Sequence, residues 1–263
     1  MVMKGKNISA SKIKAHSNCP QQLWFRYIKE MEPTKAPKGY REVGSCVHEA
    51  IENTIKRANT VEVSSESELK QKIVSEYDML SKLDYNFPDD MYDRGAKCCR
   101  VAATFLKRGP SEIESSEWNP EILSLEERVE FAIDNDEIST GVTAIMDVCT
   151  ESEIWDWKTG SIRDDTDHEE KIQGSVYMAA YFHEYGNPPE TIRFVYLKEG
   201  KVRTVDPSDE NWQYMIREAK QLLESIETDS YKGQAGDLCY FCDYEFWCDT
   251  SPTGFGGVNP DDF

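Results

Sequence analysis

The 263-residue sequence has no long apolar run, because no stretch approaches the roughly 20 consecutive apolar residues that a membrane-spanning helix needs. Its N-terminus, Met1 to Lys14, is polar and basic and lacks the apolar segment of a signal peptide. The sequence also lacks a Gly-x(4)-Gly-Lys-Ser/Thr loop, which excludes a built-in ATPase or helicase of the P-loop type. We therefore expect a protein without a membrane partner, located in the cytoplasm (the host cytoplasm for a viral protein).

Positive charge is scarce as well. The chain has 30 Lys and Arg against 49 Asp and Glu, a net charge of −19, which argues against a nucleic-acid partner because phosphate contacts need basic side chains. The deficit is uneven: residues 1–58 carry a net charge of +6 and the rest carries −25. A basic N-terminal face could steer DNA to one groove, or the excess could be chance and solvated; both interpretations stay open.

The eight cysteines are too few and too unevenly spaced for a disulfide scaffold. Cys239, Cys242 and Cys248 lie within ten residues near the C-terminus, and Cys19 precedes Pro20 near the N-terminus. Three cysteines in one loop indicate a metal centre or cluster, since a loop has no core to fill. A zinc site would usually show two Cys or Cys/His pairs, whereas this set divides one plus three. The other four are expected to be small buried side chains: Cys46, Cys98, Cys99 and Cys149.

Hydrophobic periodicity predicts helices first, then strands, then helices. We expect helices over 9–29, 44–57, 66–83, 91–108, 167–185 and 209–228, and strands over 125–133, 138–149, 153–158, 191–198 and 201–205. This order predicts an α/β fold with a helical N-terminal region (1–120), a core (121–205) and a C-terminal helix with a Cys-rich tail (206–263). The tail is Gly-rich and should be irregular.

The strands carry the most informative polar residues. Asp147 lies in an almost wholly apolar strand, where an unpaired carboxylate costs several kcal/mol. Asp156 and Lys158 are two residues apart, so they share one face of a strand while Trp155 and Trp157 share the other. Carboxylates can hold a divalent ion that polarises a phosphate and activates water, and an adjacent lysine can neutralise developing charge. The pattern thus favours phosphodiester hydrolysis.

Asp-x-Lys triplets also occur by chance at solvated strand ends, so further signals matter. Gln173 and Tyr177 are four residues apart on a predicted helix, on a face directed back at the strand ends. His48 lies in Gly44-Ser45-Cys46-Val47-His48, near the start of the second helix. A lone helical histidine is more often an ordinary surface or packed residue than a ligand.

The ordered combination of Gly-x(3)-His48, Gly-x(5)-Asp147, apolar-Asp156-x-Lys158-Thr-Gly and Gln173-x(3)-Tyr177 resembles the RecB-like branch of the PD-(D/E)XK nucleases. The resemblance implies a restriction-endonuclease-like core with a mixed central sheet. It implies Mg²⁺ or Mn²⁺ bound by His48, Asp147, Asp156 and the Trp157 carbonyl, with Lys158 as catalytic lysine. Gln173 and Tyr177 would place the DNA strand.

The one-plus-three cysteine division resembles the iron–sulfur RecB-like nucleases, including the CRISPR-associated RecB-like exonucleases. It implies a structural [4Fe–4S] cluster on Cys19, Cys239, Cys242 and Cys248, pinning the tail to the N-terminal helices. The expected activity is exonucleolytic cleavage, on single-stranded DNA ends. Alternatives are a nuclease in CRISPR spacer acquisition or in viral or recombination DNA processing, with partner proteins, and a non-catalytic DNA-binding or assembly module. Whether the chain forms a homo-oligomer is left open.

Overall fold

A computed structural model describes residues 7–33, 39–57, 65–85, 87–110, 120–163 and 166–251. Its helices are α1 (Ala10–Asn18), α2 (Pro20–Leu23), α3 (Tyr40–Arg57), α4 (Glu66–Leu83), α5 (Asp89–Arg108), α6 (Thr166–Tyr185) and α7 (Asp209–Thr228). Its strands are β1 (Ile122–Asp134), β2 (Ser139–Thr150), β3 (Glu153–Lys158), β4 (Thr191–Tyr196) and β5 (Lys201–Val205). The predicted tail contains two short 3₁₀ turns, Asp237–Phe241 and Glu245–Trp247. Four lysines of the basic N-terminal region, Lys4, Lys6, Lys35 and Lys38, lie outside the described ranges, as do residues 252–263 of the predicted tail.

The five strands form one mixed sheet in the order β1-β2-β3-β4-β5. The pairs β1–β2, β2–β3 and β4–β5 are antiparallel, whereas β3 and β4 are parallel and are joined through α6. A parallel pair needs such a crossover because its strands run in the same direction. The predicted α/β class with a mixed sheet is confirmed, while the division of the chain into three parts stays a prediction.

The sheet is covered on both faces. Helices α1, α6 and α7 pack on one face, with Ile13, Val176 and Ile216 in the shared core. Helices α3, α4 and α5 pack on the other face, where Trp155 and Trp157 are buried. The period-two alternation of β3 produces this arrangement, since it sends both tryptophans to one layer and leaves Asp156 on the opposite side.

The predicted single helix over 9–29 is wrong at Cys19. Helix α1 ends at Asn18, and Cys19 is extended, with φ −167° and ψ 114°. Pro20 disfavours helical geometry at the residue before it and then starts α2 at its first position, which suits proline. The chain continues from α2 into a π-helical turn, Trp24–Ile28. Cys19 therefore occupies a kink between two helices.

Within the ranges that the structure describes, none of the helices has both the length and the apolar character needed to cross a bilayer.

Candidate active site

Strands β2 and β3 separate at the predicted acidic residues. They pair only at Val148–Trp155 and Cys149–Ile154. Beyond that point the Trp157 backbone N–H donates to the Asp147 carboxylate (Oδ2) at 2.7 Å instead of to a strand carbonyl. Asp147 and Asp156 are 8% and 3% exposed, so this opening places two carboxylates inside the protein.

Helix α6 brings its polar side chains to Asp156. The Asp156 Oδ1 atom accepts hydrogen bonds from Tyr177 Oη and Gln173 Nε2, both at 2.7 Å. Its Oδ2 atom lies 2.7 Å from Lys158 Nζ, which also donates to Gln173 Oε1 at 2.9 Å. Burial and the nearby Asp156 charge raise the pKa of Tyr177 well above its ordinary value, so the phenol stays protonated and donates. Four of the predicted site residues thus form one hydrogen-bonded group.

His48 enters the site from the other face of the sheet. Its Nε2 lies 2.8 Å from the Trp157 carbonyl, and its Nδ1 lies 3.4 Å from Asp147 Oδ2. Burial alone would lower the pKa of His48, but the charge of Asp147 and hydrogen bonds to Asp147 and Glu126 raise it well above the ordinary value. The expected position near a helix start is wrong, because α3 begins at Tyr40 and His48 is its ninth residue.

Glu126 was not found from the sequence. Its Oε1 lies 3.7 Å from His48 Nδ1, and ligand atoms of His48, Glu126 and Asp147 all lie within 4.8 Å of one another. Asp156 is not part of this group, since it is turned toward Lys158. Burial raises the pKa of Asp147, and the charges of Asp156 and Glu126 act in the same direction against the opposing His48. This compact set of an imidazole and carboxylates suits a divalent cation.

The backbone explains why Glu126 escaped prediction. Glu126 on β1 and Asp147 on β2 both lie between the ladder pairs Leu125–Val148 and Glu127–Met146. Glu126 has φ +49°, a left-handed conformation that costs about 1–2 kcal/mol for a residue other than glycine. The strand changes faces there: Leu125 packs with the α3–α5 layer, whereas Val129 and Phe131, at the same parity, pack with α1 and α6. Uniform alternation would have placed all three on one side. The residue types alone give no signal for this reversal.

Lys14 was also missed. It lies in the middle of α1, and its Nζ donates to Gln173 Oε1 at 3.1 Å, the same oxygen that accepts from Lys158. Burial and the neighbouring Lys158 charge lower the pKa of Lys14. The contact joins residues 159 positions apart, and local patterns cannot reveal such a distance along the chain.

The four predicted cluster cysteines line one cavity of about 180 Å³, together with Phe25 and Gln21. The cavity lies between the kink at Cys19 and the two 3₁₀ turns of the tail. Burial raises the pKa of Cys242 to about 11, and the nearby Cys19 and Cys248 add to the rise. These thiols therefore disfavour one another's ionisation, a cost that a bound cationic centre would offset. The other four cysteines are fully buried in the core, as expected: Cys46, Cys98, Cys99 and Cys149.

Comparisons with known proteins give a family. No curated protein sequence matches the chain. Among solved structures, the crystal structure of SSO0001 is similar with a TM-score of 0.45 and 11% identity, over 94% of this chain and 89% of that one. Structural similarity at this level supports no inference about this protein. The model of the PD-(D/E)XK nuclease superfamily matches residues 7–249, nearly the whole chain. The chain therefore belongs to the PD-(D/E)XK nuclease superfamily.

Proposed function

We propose that this protein is a metal-dependent nuclease that hydrolyses DNA phosphodiester bonds. The observation that carries the proposal is the opening between β2 and β3. There the buried Asp147 and Asp156 lie beside the His48 imidazole, the Trp157 carbonyl and the Lys158 amine, linked by contacts of 2.7 to 3.4 Å. Buried carboxylates are costly unless they are paired or coordinate a metal, so this arrangement is more readily explained by catalysis than by stability.

The donor set fits Mg²⁺ or Mn²⁺, which prefer carboxylate and carbonyl oxygens and accept imidazole. The proposed ligands are His48, Asp147, Asp156 and the Trp157 carbonyl, with Glu126 as an addition. A bound ion would polarise the phosphate and lower the pKa of its water. Asp156 would have to exchange part of its contact with Lys158 to serve as a ligand.

Within this proposal the remaining side chains have separate roles. Lys158 neutralises charge that develops on the phosphate, since its ammonium group is positive. Its amine is already held at 2.9 Å from Gln173 Oε1, so it needs little reorganisation to do this. Tyr177 and Gln173 fix the orientation of Asp156 through their hydrogen bonds to one carboxylate oxygen. This leaves the second oxygen of Asp156 available beside Lys158.

We further propose a structural [4Fe–4S] cluster on Cys19, Cys239, Cys242 and Cys248. All four cysteines line the same cavity, although Cys19 comes from the N-terminal helices and the other three come from the tail. The division of one plus three cysteines resembles that of the iron–sulfur RecB-like nucleases, and this resemblance favours a cluster over a zinc ion.

The finer activity rests on the resemblance of the motifs to RecB-like nucleases. It favours exonucleolytic cleavage of single-stranded DNA ends, with a role in CRISPR spacer acquisition or in viral or recombination DNA processing as an alternative. A binding-only module is the rival of another class. The intact group of His48, Asp147, Asp156 and Lys158 argues against that rival, because a module that only binds DNA gains nothing from buried carboxylates.

The test begins with anaerobic purification, an absorption spectrum and iron and zinc analysis. A time course then follows end-labelled single- and double-stranded DNA with Mg²⁺, with Mn²⁺ and with chelator. We expect metal-dependent cleavage that Lys158→Met abolishes and Lys201→Met preserves, since Lys201 is exposed on the edge strand β5. Binding of DNA without cleavage under all metal conditions would instead support the binding module.

A further inference from the structure

Two lysines share a single amide oxygen in this site. Lys14 Nζ and Lys158 Nζ donate to Gln173 Oε1 at 3.1 Å and 2.9 Å, so the two ammonium groups are less than about 6 Å apart. The two lysines come from different elements, Lys14 from α1 and Lys158 from β3, so their proximity is not a consequence of local geometry. Like charges that converge on a neutral group repel each other, which favours an anion at the same place.

Groups of both charge signs act on Lys14, in addition to its burial. Burial and then Lys158 lower its pKa, and Arg163 acts in the same direction, whereas Glu169 and Asp156 raise it. Asp156 is the only one of these carboxylates with a close ion-pair contact to either lysine that the structure describes, at 2.7 Å from Lys158. That carboxylate is also a proposed metal ligand. If it served as a metal ligand, Lys158 would lose part of this ion pair, while both lysines would still contact the Gln173 amide oxygen.

We propose that Lys14 is a second substrate-binding lysine that contacts a non-bridging oxygen of the DNA phosphate at the cleavage site, next to Lys158. This inference rests on the proposed nuclease function, since it names the group that holds the same substrate. The Lys14 ammonium reaches the site from α1 and supplies a charge-assisted hydrogen bond to the phosphate. In the absence of DNA, Gln173 Oε1 accepts hydrogen bonds from both amines and holds them near the proposed phosphate position.

Binding and cleavage of a single-stranded oligonucleotide test the proposal. Binding is measured by fluorescence anisotropy over a range of salt concentrations, with Ca²⁺ replacing Mg²⁺ and gels verifying that the oligonucleotide stays intact. Lys14→Met removes the charge and the hydrogen bond, Lys14→Gln removes only the charge, and Lys14→Arg keeps it. Lys97→Met is the matched control, because Lys97 is exposed on α5, which packs on the opposite face of the sheet.

Loss of one phosphate contact should reduce the magnitude of the slope of log K against log salt by about 0.7 for single-stranded DNA. We expect this reduction for both Lys14→Met and Lys14→Gln, with binding and kcat/KM about 10- to 100-fold lower, as for loss of a hydrogen bond to a charged group. Lys14→Arg should retain most of the slope, and Lys97→Met all of it.

Two outcomes overturn the inference. If both uncharged variants keep the wild-type salt slope while cleavage falls, Lys14 only positions Gln173. If neither slope nor cleavage changes, Lys14 has no part in the site. Should Lys14→Met fail to fold, as seen in its melting curve, Lys14→Gln decides, because it can still donate to Gln173. A wild type that binds DNA but never cleaves it refutes the nuclease function, yet the slope comparison still reports on the Lys14 contact.

Discussion

Asp147 offers the sharpest separation of a structural role from a metal-binding role. Its Oδ2 atom accepts the buried Trp157 N–H at 2.7 Å and lies 3.4 Å from His48 Nδ1. In Asp147→Asn the amide oxygen can still accept from Trp157, so the fold should survive while the charged ligand is lost. In Asp147→Ala the N–H has no acceptor, which should lower the free energy of unfolding by about 1–3 kcal/mol.

The metal should distinguish these variants further. A ligand that binds only the folded state at 100 times its Kd adds about 2.7 kcal/mol to the free energy of unfolding. For a chain of this size that is a rise in Tm of roughly 5–10 °C. We expect wild type to show such a rise with Mn²⁺ and both Asp147 variants to lose it together with DNA cleavage.

Calorimetric melting with Mn²⁺ and with chelator, beside the cleavage assay, measures both effects. Metal-free Asp147→Asn should melt close to wild type, and Asp147→Ala clearly below it. An Asn variant with the full metal-dependent rise would refute the ligand assignment. Equal metal-free stability of the Ala and Asn variants would refute the structural role given to the Trp157 N–H.

Three other predictions concern neighbouring groups. Glu126→Gln should weaken Mn²⁺ binding about tenfold by titration calorimetry, and Glu126→Gly should weaken it as much without lowering the free energy of unfolding, because glycine tolerates φ +49°; unchanged affinity would exclude Glu126 as a ligand. Burial would lower the pKa of His48, but the Asp147 charge and the hydrogen bonds outweigh burial and raise this pKa above 6.5. The stability contributed by protonated His48 is therefore present below pH 6.5 and is lost as pH rises through the raised pKa. Over that same range above pH 6.5, metal affinity should increase with pH, because the neutral imidazole is the ligand. An increase in metal affinity that is complete below pH 6.5 would contradict this prediction. Cys242→Ser should abolish visible absorption and bound iron while the core variant Cys98→Ser retains both, and zinc without iron in wild type would contradict the cluster.

Periodicity predicted the elements that follow one regular pattern, and it failed where the backbone departs from the pattern. The strand that ends at Lys158 and the helix over 209–228 each keep one regular hydrophobic period, two residues for the strand and 3.6 for the helix. Their bounds therefore followed from the sequence. The break at Cys19 was visible in principle, because the following proline restricts that residue. Glu126 differs: its left-handed conformation is set by the tertiary structure, and no residue type around it demands one.

The candidate site shows the same division. Asp147, Asp156 and Lys158 could be selected because carboxylates and an amine in an apolar strand pattern are chemically conspicuous. Lys14 resembles any solvated lysine of an amphipathic helix, and only the packing of α1 against α6 brings it to Gln173. Residues that lie far apart in sequence and of common type therefore stay hidden until the fold is known.

Helix α1 links the proposed cluster to the proposed phosphate site. At its start, Ile8 pairs with β2 through backbone hydrogen bonds to Gly141 and Thr143 of 2.9 and 2.8 Å. In its middle Lys14 contacts Gln173, and directly after its end Cys19 lines the cysteine cavity. The proposed cluster would thus fix the C-terminal end of the helix that positions Lys14. Since His48 and Asp147 belong to other elements, removal of the iron should weaken DNA binding more than metal binding. An iron-free protein with unchanged DNA affinity would separate the two sites and leave the cluster with a role in the tail alone.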